Sequence, residues 1–342
     1  MYHDNGRTRW PRFAQLLVAT AIAGVSACAG QNGLTPHSAG TNEMAAAPSS
    51  GHDFLGCTYP SGDVYQTDIS GAPLDSYSNA YISAVLAASG GSSGFIALVN
   101  TQTINKATNK TPLLPVEPEN NWDHPYSPVP WASGFKIEKD GDHHSEVIQS
   151  KTCQYYEGYI TEYDPSGNSL AVYNNTHVDL TKPFVRPASG ALSTATGIPL
   201  GLLAVRPEEL AAGVIHHAIG WNIVSGSGNG ASNGPCVSPA GKVRCTDGNT
   251  YDGPKSETPM PYGSHARLKA SFNTSGFSRE AKIVAQAMRT YGLYVYDSGC
   301  CNVIILADDV HGEPVWTGED ADNLQSITPA DLEIVSPPSG GS

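Results

Sequence analysis

The sequence predicts a β-rich α+β protein, with an antiparallel sandwich or jelly-roll-like core and two or three short helices. Its 36 Gly and 25 Pro favour turns over long helices. With 39% hydrophobic and 15% charged residues in 342, the chain can bury one large core or two modest ones. Its apolar residues come in short runs bounded by turn residues, and no internal repeat suggests a solenoid or propeller.

The first segment lies outside that core. Arg7, Arg9 and Arg12 precede an apolar run from Phe13 to Val25, and Val25-Ser26-Ala27-Cys28 reads as a lipobox. Residues 1–27 are therefore expected to be a lipoprotein signal peptide, with Cys28 lipidated and inserted in the bilayer. A transmembrane anchor needs about 20 apolar residues, and this run is shorter. Ala29 after the cysteine points to the outer membrane. Residues 28–52, rich in Ala, Ser, Gly, Thr and Asn, bury too little surface to fold and read as a flexible tether. Residues 53–336 should form a single globular domain, and 337–342 a flexible tail.

Within the domain, Ala80, Tyr81, Val85 and Leu86 behind Asp75 or Ser76 predict a short helix up to Ala88, and Phe95–Val99 a buried strand. Six prolines between residues 112 and 135 predict an ordered surface loop, because proline cannot donate to a ladder. Strands follow at Glu146–Ile148, Gln154–Tyr163 and Ser169–Tyr173, the last two joined by the turn Asp164-Pro165-Ser166-Gly167-Asn168. Pro207 to Leu210, stopped by Gly213, reads as one or two helical turns, and Val214–Val224 as strand. Ser278–Tyr291 is the clearest helix: Ser278 caps it, Val284, Ala287, Met288 and Tyr291 form one stripe, and Gly292 ends it. Leu293–Tyr296 and Val303–Leu306 complete the core.

Removing residues 1–27 takes away three Arg and one Asp and moves the net charge from −13 to −15. So acidic a chain argues against nucleic acid and anionic lipid as partners. Six cysteines remain after Cys28, an even number that suggests disulfides in an exported protein. Cys236 and Cys245 flank one loop and form the most plausible pair. Cys300 and Cys301 are adjacent, so each is expected to take a distant partner, leaving Cys57 and Cys153 for them.

Several clusters could carry chemistry. Asp142 and His144 lie just before a strand, and a carboxylate beside an imidazole can be an acid/base or metal pair. Period 2 sets Cys153, Tyr155, Glu157 and Tyr159 on one strand face, where aromatic neighbours would raise the pKa of Glu157 and suit it to general-acid work. Of His216 and His217 only one can face inward. Arg267 and Lys269 share a strand face and either meet a carboxylate or await an anionic group. Trp122, Tyr126 and Trp131 could stack on sugar rings or pin the proline-rich loop. The nucleophile elbow, Walker loop, zincin and dinucleotide motifs are absent from the sequence.

The chain resembles a group of exported bacterial proteins recognised by sequence pattern alone. The likeness runs through Asp142-His143-His144, Cys153 to Glu157, Arg186-Pro187, Thr196 to Leu200, Glu209 to Ala218 and Arg267-Leu268-Lys269-Ala270-Ser271-Phe272. Members of that group usually show Arg where His216 stands, and an Asp-Asn-Gly-Ser run where this chain has Asp297-Ser298-Gly299-Cys300. They are similar to proteins of polysaccharide-degrading bacteria, which implies a carbohydrate context.

Together these readings predict a surface-anchored lipoprotein that cleaves polysaccharide or oligosaccharide. Asp142 and Glu157 would be the acid/base carboxylates, with His144, His217 and Lys269 assisting and Trp122, Tyr126, Trp131 and Arg267 binding substrate. Two rivals are a non-catalytic glycan-binding or structural lipoprotein and a metal-dependent hydrolase holding a divalent ion on Asp142, His144 and His217. No other cofactor is implied, and the sequence sets no oligomeric state.

Overall fold

The computed structural model describes residues 53–60, 62–89, 95–118, 126–138, 142–185, 193–194, 196–224, 236–240, 260–299, 301–307 and 316–336, all within one compact unit. Residues 1–52, with Cys28, and Trp122, Arg186-Pro187, Cys245, Cys300 and residues 337–342 fall outside them. Among the described residues no helix is long and apolar enough to cross a membrane.

The elements run β1 (Asp53–Phe54), β2 (Cys57–Thr58), α1 (Ser78–Ala88), β3 (Ile96–Gln102), β4 (Ile104–Ala107), β5 (Leu113–Leu114), β6 (Val116–Pro118) and β7 (Val129–Pro130). Three longer strands follow, β8 (Ser145–Gln149), β9 (Gln154–Asp164) and β10 (Ser169–Asp179). The remainder is α2 (Pro207–Ala212), β11 (Ile219–Val224), β12 (His265–Leu268), α3 (Arg279–Thr290), β13 (Leu293–Gly299), β14 (Val303–Ala307), α4 (Gly318–Gln325) and β15 (Leu332–Val335).

The class is β-rich α+β. Two sheets carry it, one of five strands ordered β4-β8-β9-β10-β6 and one of six ordered β15-β12-β13-β11-β14-β3. Both are mixed where the sequence suggests an antiparallel core. β4 runs parallel to β8 and β6 to β10, while β11 is parallel to β13 and β3 to β14. Each of these pairs is joined by a long connection, which parallel pairing requires. The proline-rich stretch is also more ordered than a surface loop, since it supplies β5, β6 and β7. Pro118 closes the edge strand β6, and Pro130 sits in the two-stranded β5–β7 ladder, positions where a missing amide costs little.

α3 has the expected cap: the Ser278 hydroxyl accepts from the Ala281 amide. Its stripe of Ala281, Val284, Ala285 and Met288 is buried in the main core, with Trp221, Leu203 and Val295. α1 starts three residues later than Asp75; that carboxylate accepts from the Tyr77 amide at 2.9 Å, just ahead of the helix.

The hairpin β8–β9 positions the site. Gln149 opposes Gln154, and from that register Ile148 meets Tyr155, Val147 meets Tyr156 and Glu146 meets Glu157. Alternation then sorts the residues by face. Ile148 and Tyr155 join the main core, while Val147, Tyr156, Leu170 and Val172 build a smaller core with Leu114, Val116, Val129 and Trp131.

The cysteine pairing differs from expectation. Cys57 and Cys153 are bonded to each other, so neither partners Cys300 or Cys301. The bond ties the β1–β2 hairpin to the start of β9. Cys236 is also disulfide-bonded.

Candidate functional site

Glu146 and Glu157 face each other across the β8–β9 ladder, each 1% exposed. Directly opposed residues have Cβ atoms about 4.5–5.5 Å apart, so two carboxyl groups here share one small volume. Their surroundings are unequal. Oε1 of Glu157 accepts from the Ser193 hydroxyl and, at 3.0 Å, from the Leu200 amide. Oε2 accepts from the Tyr155 hydroxyl and, at 3.1 Å, from the Gly201 amide. Neither carboxyl oxygen of Glu146 has a hydrogen-bond partner.

Burial raises the pKa of Glu146 well above the carboxylate range, and the charges of Glu157 and Glu138 add to the rise. Burial raises Glu157 as well, against the pull of its four donors. Donors that favour the anion at one member only make Glu157 the first to ionise and leave the proton on Glu146. Two carboxyl groups with roles divided in this way are the equipment of acid/base hydrolysis. Gly201 is part of the arrangement. A Cβ there would lie 2.7 Å from Oε2 of Glu146 and closer still to the Tyr155 hydroxyl, so only glycine brings its amide to Glu157.

The row continues outward. The His144 ring packs on Tyr159 at 5.5 Å, Tyr159 meets Tyr173 at 5.9 Å, and the Glu138 carboxylate accepts from the His144 amide at 3.1 Å. Burial lowers the His144 pKa to about 4, and its Nδ1 is buried without a partner. The Tyr296 hydroxyl is pushed up by burial first and then by Asp297, Glu138, Glu157 and Asp142, which places it in the field of those carboxylates.

A second buried cluster lies at the start of α2. Arg206, 1% exposed, sets its guanidinium 4.6 Å over the Phe54 ring and donates to Glu209 at 2.6 Å. His217 places Nε2 3.0 Å from that carboxylate and 3.2 Å from Arg206 Nη1, and its Nδ1 donates to the Ala218 carbonyl at 2.7 Å. Burial alone would raise Glu209, but the charges of Arg206 and His217 prevail and hold it below the usual range. Phe54 links the clusters, because it also packs edge-on against Tyr155 at 5.6 Å.

The residues picked out in the sequence therefore separate. Glu157 belongs to the buried pair, and His144 lies two residues before Glu146, just ahead of β8. Asp142 is exposed, and its carbonyl accepts from the Ile160 amide at 2.9 Å; the carboxyl opposing Glu157 is that of Glu146, because strand register decides the partner. His217 belongs to the Arg206 cluster, so Asp142, His144 and His217 do not form a ligand set. Among the described residues no group of three His, Cys, Asp or Glu is arranged to hold a metal ion.

Arg267 bonds Glu333 at 2.6 Å and the carbonyls of Ile69, Ser70 and Ala72, which commits it to holding β12 and the segment before α1. Lys269 donates to the Ala330 carbonyl at 2.6 Å, away from the glutamates. Trp131 is 2% exposed within the smaller core and offers no face to a sugar, whereas Tyr126 is 39% exposed.

Glu146, Tyr155, Ser193 and Gly201 were not recognised from sequence as site residues. The four-residue turn Ser150–Cys153 carries the signal for Glu146, since a hairpin closing at Gln149 and Gln154 sets the two glutamates opposite. Comparison with protein-family models, with curated proteins and with solved structures finds no match for this chain.

Proposed function

We propose that the protein is an exported hydrolase, anchored to the outer membrane through lipidated Cys28, that cleaves a glycosidic bond with Glu146 and Glu157. The observation that carries the reading is the unequal pair: opposed carboxyls, one with four donors and one with none. Glu146, kept protonated, gives its proton to the glycosidic oxygen as the C–O bond breaks. Glu157, the first of the pair to ionise, attacks the anomeric carbon or takes the proton of the water that does. Tyr155 holds Glu157 in place, since its hydroxyl donates to that carboxylate and accepts from the Gly201 amide at 3.2 Å.

A second reading rests on the 1% exposure of both glutamates. A pair so deep could simply hold strands together in a non-catalytic, glycan-binding lipoprotein. One experiment separates the two: product release from a panel of plant and microbial polysaccharides by the full chain in detergent, beside Glu146→Gln and Glu157→Gln. An enzyme loses at least about a hundredfold of its rate in either variant, the usual contribution of a positioned acid or base. No release from any polymer by the folded wild type moves the assignment to the binding protein.

A further inference from the structure

On the opposite face of the same sheet an exposed aromatic ring is held in place. Tyr126 is 39% exposed, yet its backbone is fixed on both sides by one buried side chain. Asn175 Oδ1 accepts from the Tyr126 amide and Asn175 Nδ2 donates to the Tyr126 carbonyl, both at 2.8 Å and 49 residues apart in sequence. The ring stacks on His177 at 4.2 Å with 17° between planes and leans on Tyr156 at 5.6 Å. His177 is itself held, with Nε2 2.6 Å from Gln154 Oε1, and Gln154 Nε2 donates to Asp179 at 3.1 Å. An exposed ring fixed in this way offers a flat apolar face with little ordering left to do on binding, beside polar groups in a row.

A small recess opens next to it. Val116, Val129, Val147, Leu170 and Val172 wall it, Glu157 and Gly158 of β9 line its floor, Tyr156 and Asn175 border it on the Tyr126 side, and it admits a group about the size of a water molecule or methyl. Ser145, which also lines it, places its hydroxyl 2.8 Å from that of Thr161. Of two hydroxyls bonded to each other, one proton is used in the bond and the other is left to donate. Gly158 keeps them uncovered: a Cβ there would stand 2.7 Å from Ser145 Oγ and 2.5 Å from Thr161 Oγ1.

We propose that Tyr126 and this recess form a binding site for an acetylated sugar. The pyranose lies on the free face of Tyr126, the acetyl methyl enters the valine-lined recess and the acetyl carbonyl accepts from the Ser145–Thr161 hydroxyl pair. Glu157 meets the recess from β9, while its carboxylate is held on the other side by the Leu200 and Gly201 amides.

The test is calorimetric titration of the full chain in detergent with tetramers of N-acetylglucosamine, glucosamine and glucose. Wild type should bind the acetylated tetramer about tenfold more tightly than either other tetramer. Tyr126→Ala should weaken it about tenfold, and Val129→Phe, which fills the recess, should abolish the preference for the acetyl group while leaving the glucose tetramer unaffected. Equal affinity for the three tetramers, no binding of any, or unchanged affinity in Tyr126→Ala would overturn the proposal. Polysaccharide cleavage is read separately on Glu146→Gln, so failure of the hydrolase reading leaves the Tyr126 and Val129 binding results standing.

Discussion

Glu146 shows how a single residue can set a pH dependence. Its pKa is raised in the folded state, so the fold binds that proton more tightly than the unfolded chain does. The contribution is fully present below the ordinary carboxyl pKa and is lost as pH rises through the folded value. Glu146→Gln keeps the shape and removes the titration. Urea unfolding from pH 5 to pH 9 should show the variant losing less stability with rising pH than wild type, and standing above it at the alkaline end; parallel curves would mean that Glu146 ionises normally. Gly201→Ala tests the neighbouring contact. Its methyl would press on Tyr155 and Glu146, and overpacking of this kind costs about 1–3 kcal/mol, readable as a lower urea midpoint with an unchanged slope. At this scale the sequence was half legible. Glu157 stands out because aromatic residues alternate with it, whereas Glu146 gains its meaning only from a cross-strand partner that no local pattern names.

Among the elements, the small β1–β2 hairpin has an influence beyond its four strand residues. Its Phe54 packs against Tyr155, which bonds Glu157, and lies under Arg206, while its Cys57 is bonded to Cys153 at the head of β9. The bonded cysteines are 96 residues apart, and closing a loop of that length stabilises a fold by about 4–5 kcal/mol in the chain-entropy account. Replacing both Cys57 and Cys153 by Ser should lower stability by about that much and reduce any cleavage through loss of Tyr155 order. A double variant as stable as wild type would show that the hairpin is held by its packing alone. The clearest helix, α3, was readable because a serine cap, an apolar stripe and a terminal glycine agree. α4 and β15 were not, since Gly318 to Gln325 has only Leu324 as a large buried apolar residue and β15 has four residues. The Thr317–Asp320 capping box, with the Thr317 hydroxyl 2.8 Å from the Asp320 carboxylate, was the signal available for α4. Mixed pairing was hidden for another reason: alternation reveals a buried face but not the direction of the neighbouring strand.

Across the whole molecule, buried titratable groups oppose one another, and their balance gives the fold an optimum pH. Glu146 favours acid. His265 works the other way: it is 4% exposed, stacked on Tyr294 at 3.9 Å, placed 2.7 Å from the Tyr291 carbonyl, and lowered by burial to about 4. A depressed folded pKa contributes stability that is complete above the ordinary histidine value of 6.5 and is lost as pH falls towards 4. The shift corresponds to about 3 kcal/mol for His265, and His144 titrates in the same window. Glu209, held ionised beside Arg206, adds a further loss below the ordinary carboxyl range. Stability should therefore fall on both sides, through the histidines as pH drops from 6.5 towards 4 and through Glu146 as pH rises. His265→Gln keeps a polar ring-sized group without the charge. It should flatten the acid limb of a urea-midpoint curve while leaving the alkaline limb to Glu146→Gln. A variant whose acid limb is as steep as wild type would assign that limb to His144 and Glu209 instead, and because the two substitutions touch different sheets, their effects on the curve should add.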